Sequence, residues 1–298
     1  MTGPGFLDLP DAGPDAARIC LLPLPFEGTV SFGRGTAAAP EAIWRASTQV
    51  ELWDEELDFP LDSLTYHSAP ALTPRDGEPV ARYLDRLIRT AARLHRPDTL
   101  VIGVGGEHSV TPALVRAAAG EGDWSDLTVV QLDAHADLRD EYDGTPHSHA
   151  CAMRRLVERG AGLIAIGIRS ADRAEVEYGR SSPRVRTFTA QALASDPTVE
   201  PELLATLSSL TGRVYLTVDI DAFETGLCPG TGTPQPGGLG WWPALRYLRA
   251  LLCPSTRAML LGCDLVETVP QPHTQVNEFV AARLLTKIIA YAVAPGCM

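Results

Sequence analysis

Val129-Val130-Gln131-Leu132, followed at once by Asp133-Ala134-His135-Ala136-Asp137, is an apolar β-forming run that ends in a cluster of metal-ligating side chains. The arrangement occurs twice more. Leu100-Val101-Ile102-Gly103-Val104 precedes Gly105-Gly106-Glu107-His108-Ser109, and Val214-Tyr215-Leu216-Thr217-Val218 precedes Asp219-Ile220-Asp221. Short, β-branched runs of this kind read as strands buried on both faces of a parallel sheet, and ligands of such sheets sit outside the carboxyl ends of the strands. Three strand ends would thus bring His108, Asp133, His135, Asp137, Asp219 and Asp221 to one edge.

Taken singly, each cluster has an ordinary explanation as a helix cap, a surface loop or a solvated strand end. Taken together, acids that follow three buried strands are costly to desolvate unless they are paired or bind a cation. In Asp133-Ala134-His135-Ala136-Asp137 a spacing of two residues aims the polar side chains one way while the chain stays extended. The sequence therefore predicts a metal centre, and a carboxylate-rich set with only two imidazoles leans toward Mn²⁺.

Around these runs, strands alternate with helical patterns. Ile19-Cys20-Leu21-Leu22-Pro23-Leu24 reads as a first strand, with Pro23 favouring an edge position or an early end. Helices are expected over Val80 to Leu94, Thr111 to Ala119, Ala150 to Glu158, Pro243 to Leu252 and Val276 to Val293. Further strands are expected at Gly162 to Ile166 and Ala258 to Gly262. Such alternation predicts one α/β domain over residues 1–298, a three-layer α-β-α sandwich with a mostly parallel, doubly wound sheet. Residues up to Ala17 are rich in Gly, Pro and Asp and read as a loosely held arm or an oligomer contact. Phe26 to Thr36, Asp137 to Ser148 and Phe223 to Gly240 form long loops, which are disproportionately functional.

The 298 residues are 45% hydrophobic and 21% charged, as in ordinary soluble domains. No apolar run is long enough to span a bilayer and no secretory leader opens the chain, which reads as cytoplasmic. A formal net charge of −12 disfavours nucleic acid and anionic membrane as partners and mildly favours cationic ligands. Cys20, Cys151, Cys228, Cys253, Cys263 and Cys297 are dispersed, without a Cys-x-x-Cys pair, and most read as reduced, small apolar core residues.

With Pro25-Phe26-Glu27-Gly28-Thr29-Val30-Ser31, Gly35, Pro40, Ala42 and Ile43, with Pro229-Gly230-Thr231-Gly232-Thr233-Pro234 and with Asp264-Leu265-Val266-Glu267, these segments resemble the ureohydrolase (arginase/agmatinase) family along nearly the whole chain. The stretch from Asp133 to Arg155 looks most like agmatinases. The resemblance implies an arginase-like fold and two Mn²⁺ per chain. His108, Asp133, Asp137 and Asp219 would hold one ion and Asp133, His135, Asp219 and Asp221 the other, activating a shared water. It further implies that Glu267 accepts hydrogen bonds from the substrate's guanidinium, that Asp137 helps move a proton to the departing nitrogen, and that His149 exchanges protons with solvent and contacts substrate. Neighbouring His147 has weaker support. Trimers or hexamers of the chain are also implied.

The expected substrate is a small cationic guanidino compound, with agmatine, cleaved to putrescine and urea, as the first choice. Aminopropylagmatine, guanidinobutyrate, arginine and formimidoylglutamate are alternatives. A metal-dependent deacetylase and a non-catalytic binding protein are the other classes, and the full set of bridging acids speaks against both. Asp140, Glu141 and Asp143 in the loop after Asp137 either favour a distal ammonium or are simply solvated. One departure from the family pattern stands out: Glu224 and Thr225 occupy positions where an Asp-Pro pair is usual, which leaves the shape of the substrate mouth open.

Overall fold

Eight strands form one sheet in which every pairing is parallel: β1 (Ile19–Pro23), β4 (Tyr66–Ser68), β5 (Leu100–Val104), β6 (Leu127–Leu132), β7 (Gly162–Ile168), β8 (Val185–Thr189), β9 (Thr211–Asp219) and β10 (Arg257–Val266), in the spatial order β4-β1-β5-β10-β9-β6-β7-β8. A separate antiparallel pair joins β2 (Trp53–Asp54) to β3 (Phe59–Pro60). The computed structural model describes residues 5–253 and 257–295.

Strand residues alternate between two cores, as period-two geometry requires. Ile102, Val104, Val130, Leu132, Leu216 and Val218 pack in a layer with α1 (Ala39–Ser47), α7 (Val199–Ser208), α8 (Trp241–Leu252) and α9 (Val276–Val293). Val101, Val129 and Tyr215 pack in another layer with α2 (Val80–Ala92), α3 (Thr111–Ala119) and α4 (Ala152–Glu158). Helices α5 (Arg173–Ser181) and α6 (Ala190–Ser195) flank β8. The three-layer sandwich is as expected.

Four neighbouring strands position the site. Val104, Leu265, Val218 and Leu132 lie in one row across β5, β10, β9 and β6. Each chain then leaves the sheet at the same level, so His108, Glu267, Asp219 and Asp133 emerge side by side. Gly105 and Gly106 make the exit from β5 possible: both have φ near +80°, and a Cβ on Gly106 would lie 2.5 Å from the Leu24 carbonyl oxygen. Tight turn and close packing are thus the same requirement.

Several expectations need correction. β1 does end at Pro23, but it lies inside the sheet, with the three-residue β4 as the edge. β10 continues to Val266 rather than stopping at Gly262, because Asp264, though charged, finds partners on β9: the Tyr215 hydroxyl at 3.0 Å and the Thr217 hydroxyl at 2.6 Å. The segment up to Ala17 is not loosely held where it is described. Phe6 is fully buried, packed edge-on against Trp44 at 5.6 Å, and Leu7 donates its backbone N–H to the Ser47 hydroxyl at 2.9 Å. Burying two large apolar residues anchors this Gly/Pro-rich stretch; residues 1–4 of the expected arm lie outside the described residues. Cys20, Cys151, Cys228 and Cys263 are free and buried, while Cys297 lies outside the described residues. No helix among the described residues is long and apolar enough to cross a membrane.

Candidate metal centre and cleft

The strand ends converge. Nδ1 of His108 lies 2.9 Å from Asp137, 3.1 Å from Asp133 and 3.5 Å from Asp219 carboxylate oxygens. Nδ1 of His135 lies 3.0 Å from Asp221 and 3.7 Å from Asp133. Two groups of ligand atoms result, His108 with Asp133 and Asp219, and Asp133 with His135 and Asp221. Asp133 belongs to both, turning Oδ2 to His108 and Oδ1 to His135. Asp219 closes only the first group, and Asp137 reaches into it through His108.

The carboxylates are locked from behind. Gln131 Nε2 donates to Asp133 Oδ2 at 2.7 Å, the His135 backbone N–H donates to Asp133 Oδ1 at 2.6 Å, and the backbone N–H groups of Ala134 and Asp221 donate to Asp221 Oδ1 and Asp219 Oδ1. Asp137 adopts φ +52°, a left-handed conformation rare for non-glycine residues. Its neighbours hold it there: Arg154 N–H donates to the Asp137 carbonyl at 3.1 Å and Leu138 N–H to Glu175 Oε1 at 2.9 Å.

The residues fit a divalent cation. Thr217 gives its hydroxyl proton to Asp264, so its oxygen accepts the Nε2–H of His108 at 2.9 Å and leaves the lone pair on Nδ1. That Nδ1 is buried and no carboxylate oxygen around it is aligned as a hydrogen-bond partner, so the lone pair points into the gap among the acids. Without a cation the acids and imidazoles must share protons. Burial, then the charge of Asp133, pushes Asp137 up to about 6. Burial works against a charged His135, yet Asp133 and Asp221 overcome it and raise the imidazole to about 11. Burial and the Asp221 charge raise Asp219 well above the carboxylate range. The direct ion pairs of these carboxylates are with the two imidazoles, while Arg169 gives its N–H to the Asp221 carbonyl at 2.7 Å and lends its charge from there.

A cleft of about 400 Å³ opens over the centre, and His149, Glu267, Ser31, Arg139, Asp172 and Glu175 line it together with the His and Asp cluster. Glu267 sits at φ +61°, donates its N–H to the Gly106 carbonyl at 2.9 Å and accepts the His108 N–H on Oε1 at 2.8 Å. Burial, then the nearby Glu107, holds its carboxyl well above the usual range. His149 faces the cleft, whereas His147 is exposed and outside it. Thr233 of the Pro229 to Pro234 loop forms part of the wall.

A family model described as the arginase family matches residues 17–291. The chain belongs to the arginase family. The N(1)-aminopropylagmatine ureohydrolase of Synechocystis sp. is 36% identical over 279 residues, spanning 92% of this chain and 89% of the relative. The agmatinase of Pyrococcus horikoshii is 31% identical over 284 residues, 95% of each chain. Among solved structures, the agmatine ureohydrolase of Thermoplasma volcanium superposes with a TM-score of 0.80 at 26% identity, covering 94% of this chain and 91% of that one. The expected class, a hydrolase of carbon–nitrogen bonds in linear amidines, follows with the family.

Against this family the departure at Glu224 and Thr225 is local. Glu224 Oε2 accepts the backbone N–H groups of Gly237 and Gly238 at 3.0 and 2.9 Å, and Oε1 accepts from Thr225, so the pair ties the loop to itself. Neither residue lines the cleft. The loop acids Asp140, Glu141 and Asp143 do not line it either; Asp140 pairs with Arg155 at 2.7 Å, in keeping with solvation. Sequence reading missed Arg139, Asp172 and Glu175, which meet only because β7 and α5 fold beside the Asp137 loop. It also missed Thr217, although a residue two positions before Asp219 on a strand shares its face.

Proposed function

We propose that the chain is a binuclear manganese hydrolase that cleaves a guanidino group to urea and an amine. The observation that carries this reading is Asp133, whose two oxygens face His108 on one side and His135 on the other, the arrangement of a carboxylate shared by two ions. His108, Asp133, Asp137 and Asp219 would hold one ion and Asp133, His135, Asp219 and Asp221 the other. Such a pair of divalent cations supplies a strongly acidified water at neutral pH.

The side chains do the rest. Glu267 accepts hydrogen bonds from the planar guanidinium and sets its carbon over the centre. Water adds to that carbon, the bond to the substituted nitrogen breaks, and that nitrogen leaves protonated as the amine while urea remains. Asp137 passes the proton to the departing nitrogen, and His149, between centre and solvent, restores the proton balance.

Agmatine, giving putrescine and urea, is the first choice: among the cleft residues Asp172 and Glu175 pair with Arg139 at 4.0 and 3.6 Å, which leaves one acid charge in excess to favour a second cationic nitrogen. Aminopropylagmatine is the second reading, supported by the relatives that carry that name, at 36% and 34% identity. A panel of both with guanidinobutyrate, arginine and formimidoylglutamate, assayed for urea or formamide in Mn²⁺-loaded protein, tests the choice. Faster turnover of a non-cationic tail would overturn it, and inertness toward every compound would leave a binding protein. The same reading includes a cytoplasmic location and a homo-oligomer, trimer or hexamer; the exposed Trp53 and Phe279 support such an assembly, which sedimentation measures.

A further inference from the structure

The segment Glu27-Gly28-Thr29-Val30-Ser31 contributes no ligand to the metal groups, yet it is bound tightly to two of the strand-end loops. Its anchor is Glu107, the fully buried neighbour of His108. Glu107 donates its backbone N–H to the Phe26 carbonyl at 3.0 Å. Its side chain accepts the Thr29 N–H on Oε2 at 2.7 Å, and on Oε1 it accepts the hydroxyls of Thr29 and, at 2.6 Å, Ser109.

The Thr29 hydroxyl has one proton, and Glu107 takes it. Its oxygen is left able only to accept. Two groups of His149 face that oxygen: the backbone N–H at 3.0 Å and the ring Nδ1 at 3.5 Å. On the opposite side of the ring, Nε2 lies 3.3 Å from the Ser31 hydroxyl, which has a proton to give. Both His149 and Ser31 line the cleft.

We propose that Thr29, oriented by Glu107, is the positioning residue for His149: it fixes the imidazole with the proton on Nδ1 and presents Nε2 to the cleft as the basic nitrogen. The kinetic consequence rests on His149 carrying protons, as proposed above. A ring that must take and return a proton works from one tautomer in one orientation, and an aspartate or carbonyl commonly sets it. Here a hydroxyl backed by a buried carboxylate takes that part. Burial also holds the imidazole toward its neutral form, in which the choice of tautomer matters.

Thr29 is only partly buried, so Thr29→Val keeps the size of the side chain and removes the hydroxyl without exposing a core. The test has two readouts on the full chain. The first is nitrogen NMR of [¹⁵N]histidine protein loaded with diamagnetic Zn²⁺, with His149 assigned from its absence in His149→Asn. The wild type is expected to show a protonated Nδ1 and a lone-pair Nε2, Thr29→Val a mixture of tautomers, and Thr29→Ser the wild-type pattern. The second is steady-state kinetics with Mn²⁺: Thr29→Val should lower kcat about tenfold with KM changed less than about twofold, and Thr29→Ser should recover to within about threefold. A wild-type ring protonated on Nε2, a Thr29→Val protein unchanged in tautomer and kcat, or a Thr29→Ser protein as impaired as Thr29→Val would overturn the proposal. Full activity in His149→Asn would instead remove the proton-carrying role while leaving the tautomer result to stand.

Discussion

Two regions of this molecule gather clusters of acids, and they neutralise them in opposite ways. In one, Asp54, Glu55 and Glu56 surround Lys287, the chain's only lysine, with Nζ 2.9 Å from Asp54, 3.3 Å from Glu55 and 3.4 Å from Glu56. Arg283 and Arg249 pair with Glu55 and Glu56 from outside, and the Tyr291 hydroxyl donates to Glu56. Three fixed cations meet three acids, and β2 is bolted to α9. At the candidate metal centre, the carboxylates of Asp133, Asp137, Asp219 and Asp221 pair directly with imidazoles, which are not permanent cations, and the neighbouring Arg169 turns its N–H to the Asp221 carbonyl instead. The same residue type is structural where it pairs with a fixed cation and a candidate ligand where it pairs with imidazoles.

The largest expected effect tests the second region. Asp133→Ala removes the ligand common to both groups, so metal content should drop below one ion per chain and urea release should fall on the order of 10³-fold or more. Elemental analysis beside the assay reads this. Removing metal with a chelator should abolish turnover of the wild type, and Mn²⁺ should restore it.

Lys287→Met tests the first region. It leaves a fully buried Asp54 without its cation and should cost about 3–5 kcal/mol in denaturant unfolding, with metal content unchanged. Adding Asp54→Leu should recover much of the loss, because removing both partners removes the unpaired charge. Metal loss in Lys287→Met would erase the distinction between the regions.

Glu267→Gln should keep the metal and lower kcat/KM on the order of 10²-fold, since the amide cannot accept the guanidinium's hydrogen bonds in the same way. Equal loss of metal would make Glu267 part of the metal scaffold instead.

The smallest effect is an acid titration. Desolvation opposes it, but a backbone hydrogen bond and Arg283 hold the Glu55 carboxyl down at about 2. A depressed folded value means stability that is present above the unfolded value of about 4.3 and lost as pH falls toward 2. Glu55→Gln should therefore flatten that part of the stability curve. The change should be slight, because the side chain is largely exposed and solvent screens it.

The candidate ligands were legible in the chain because they follow buried strands, and Asp133, His135, Asp219 and Asp221 do so at a spacing of two, although Asp221 sits in a 3-10 turn (Ile220–Ala222) rather than in extended chain. Other features were not. Tyr66–Ser68 is three residues long, and Val185–Thr189 carries Arg186, Thr187 and Thr189 on exposed positions, so neither edge strand has the apolar run that betrays an inner one. Thr29 and Glu107 are 78 positions apart, and Lys287 and Asp54 233, separations at which no local pattern links two residues.

The apolar pattern of the inner strands and the residue types that gather at their ends were written in the sequence, since each depends on neighbours within a few positions. Which acids would pair directly with a fixed cation and which with imidazoles, and which hydroxyl would face His149, were decided by the tertiary structure alone. Charge neutralisation and hydrogen-bond direction depend on groups a few ångströms apart in space, and only the folded sheet brings those groups together.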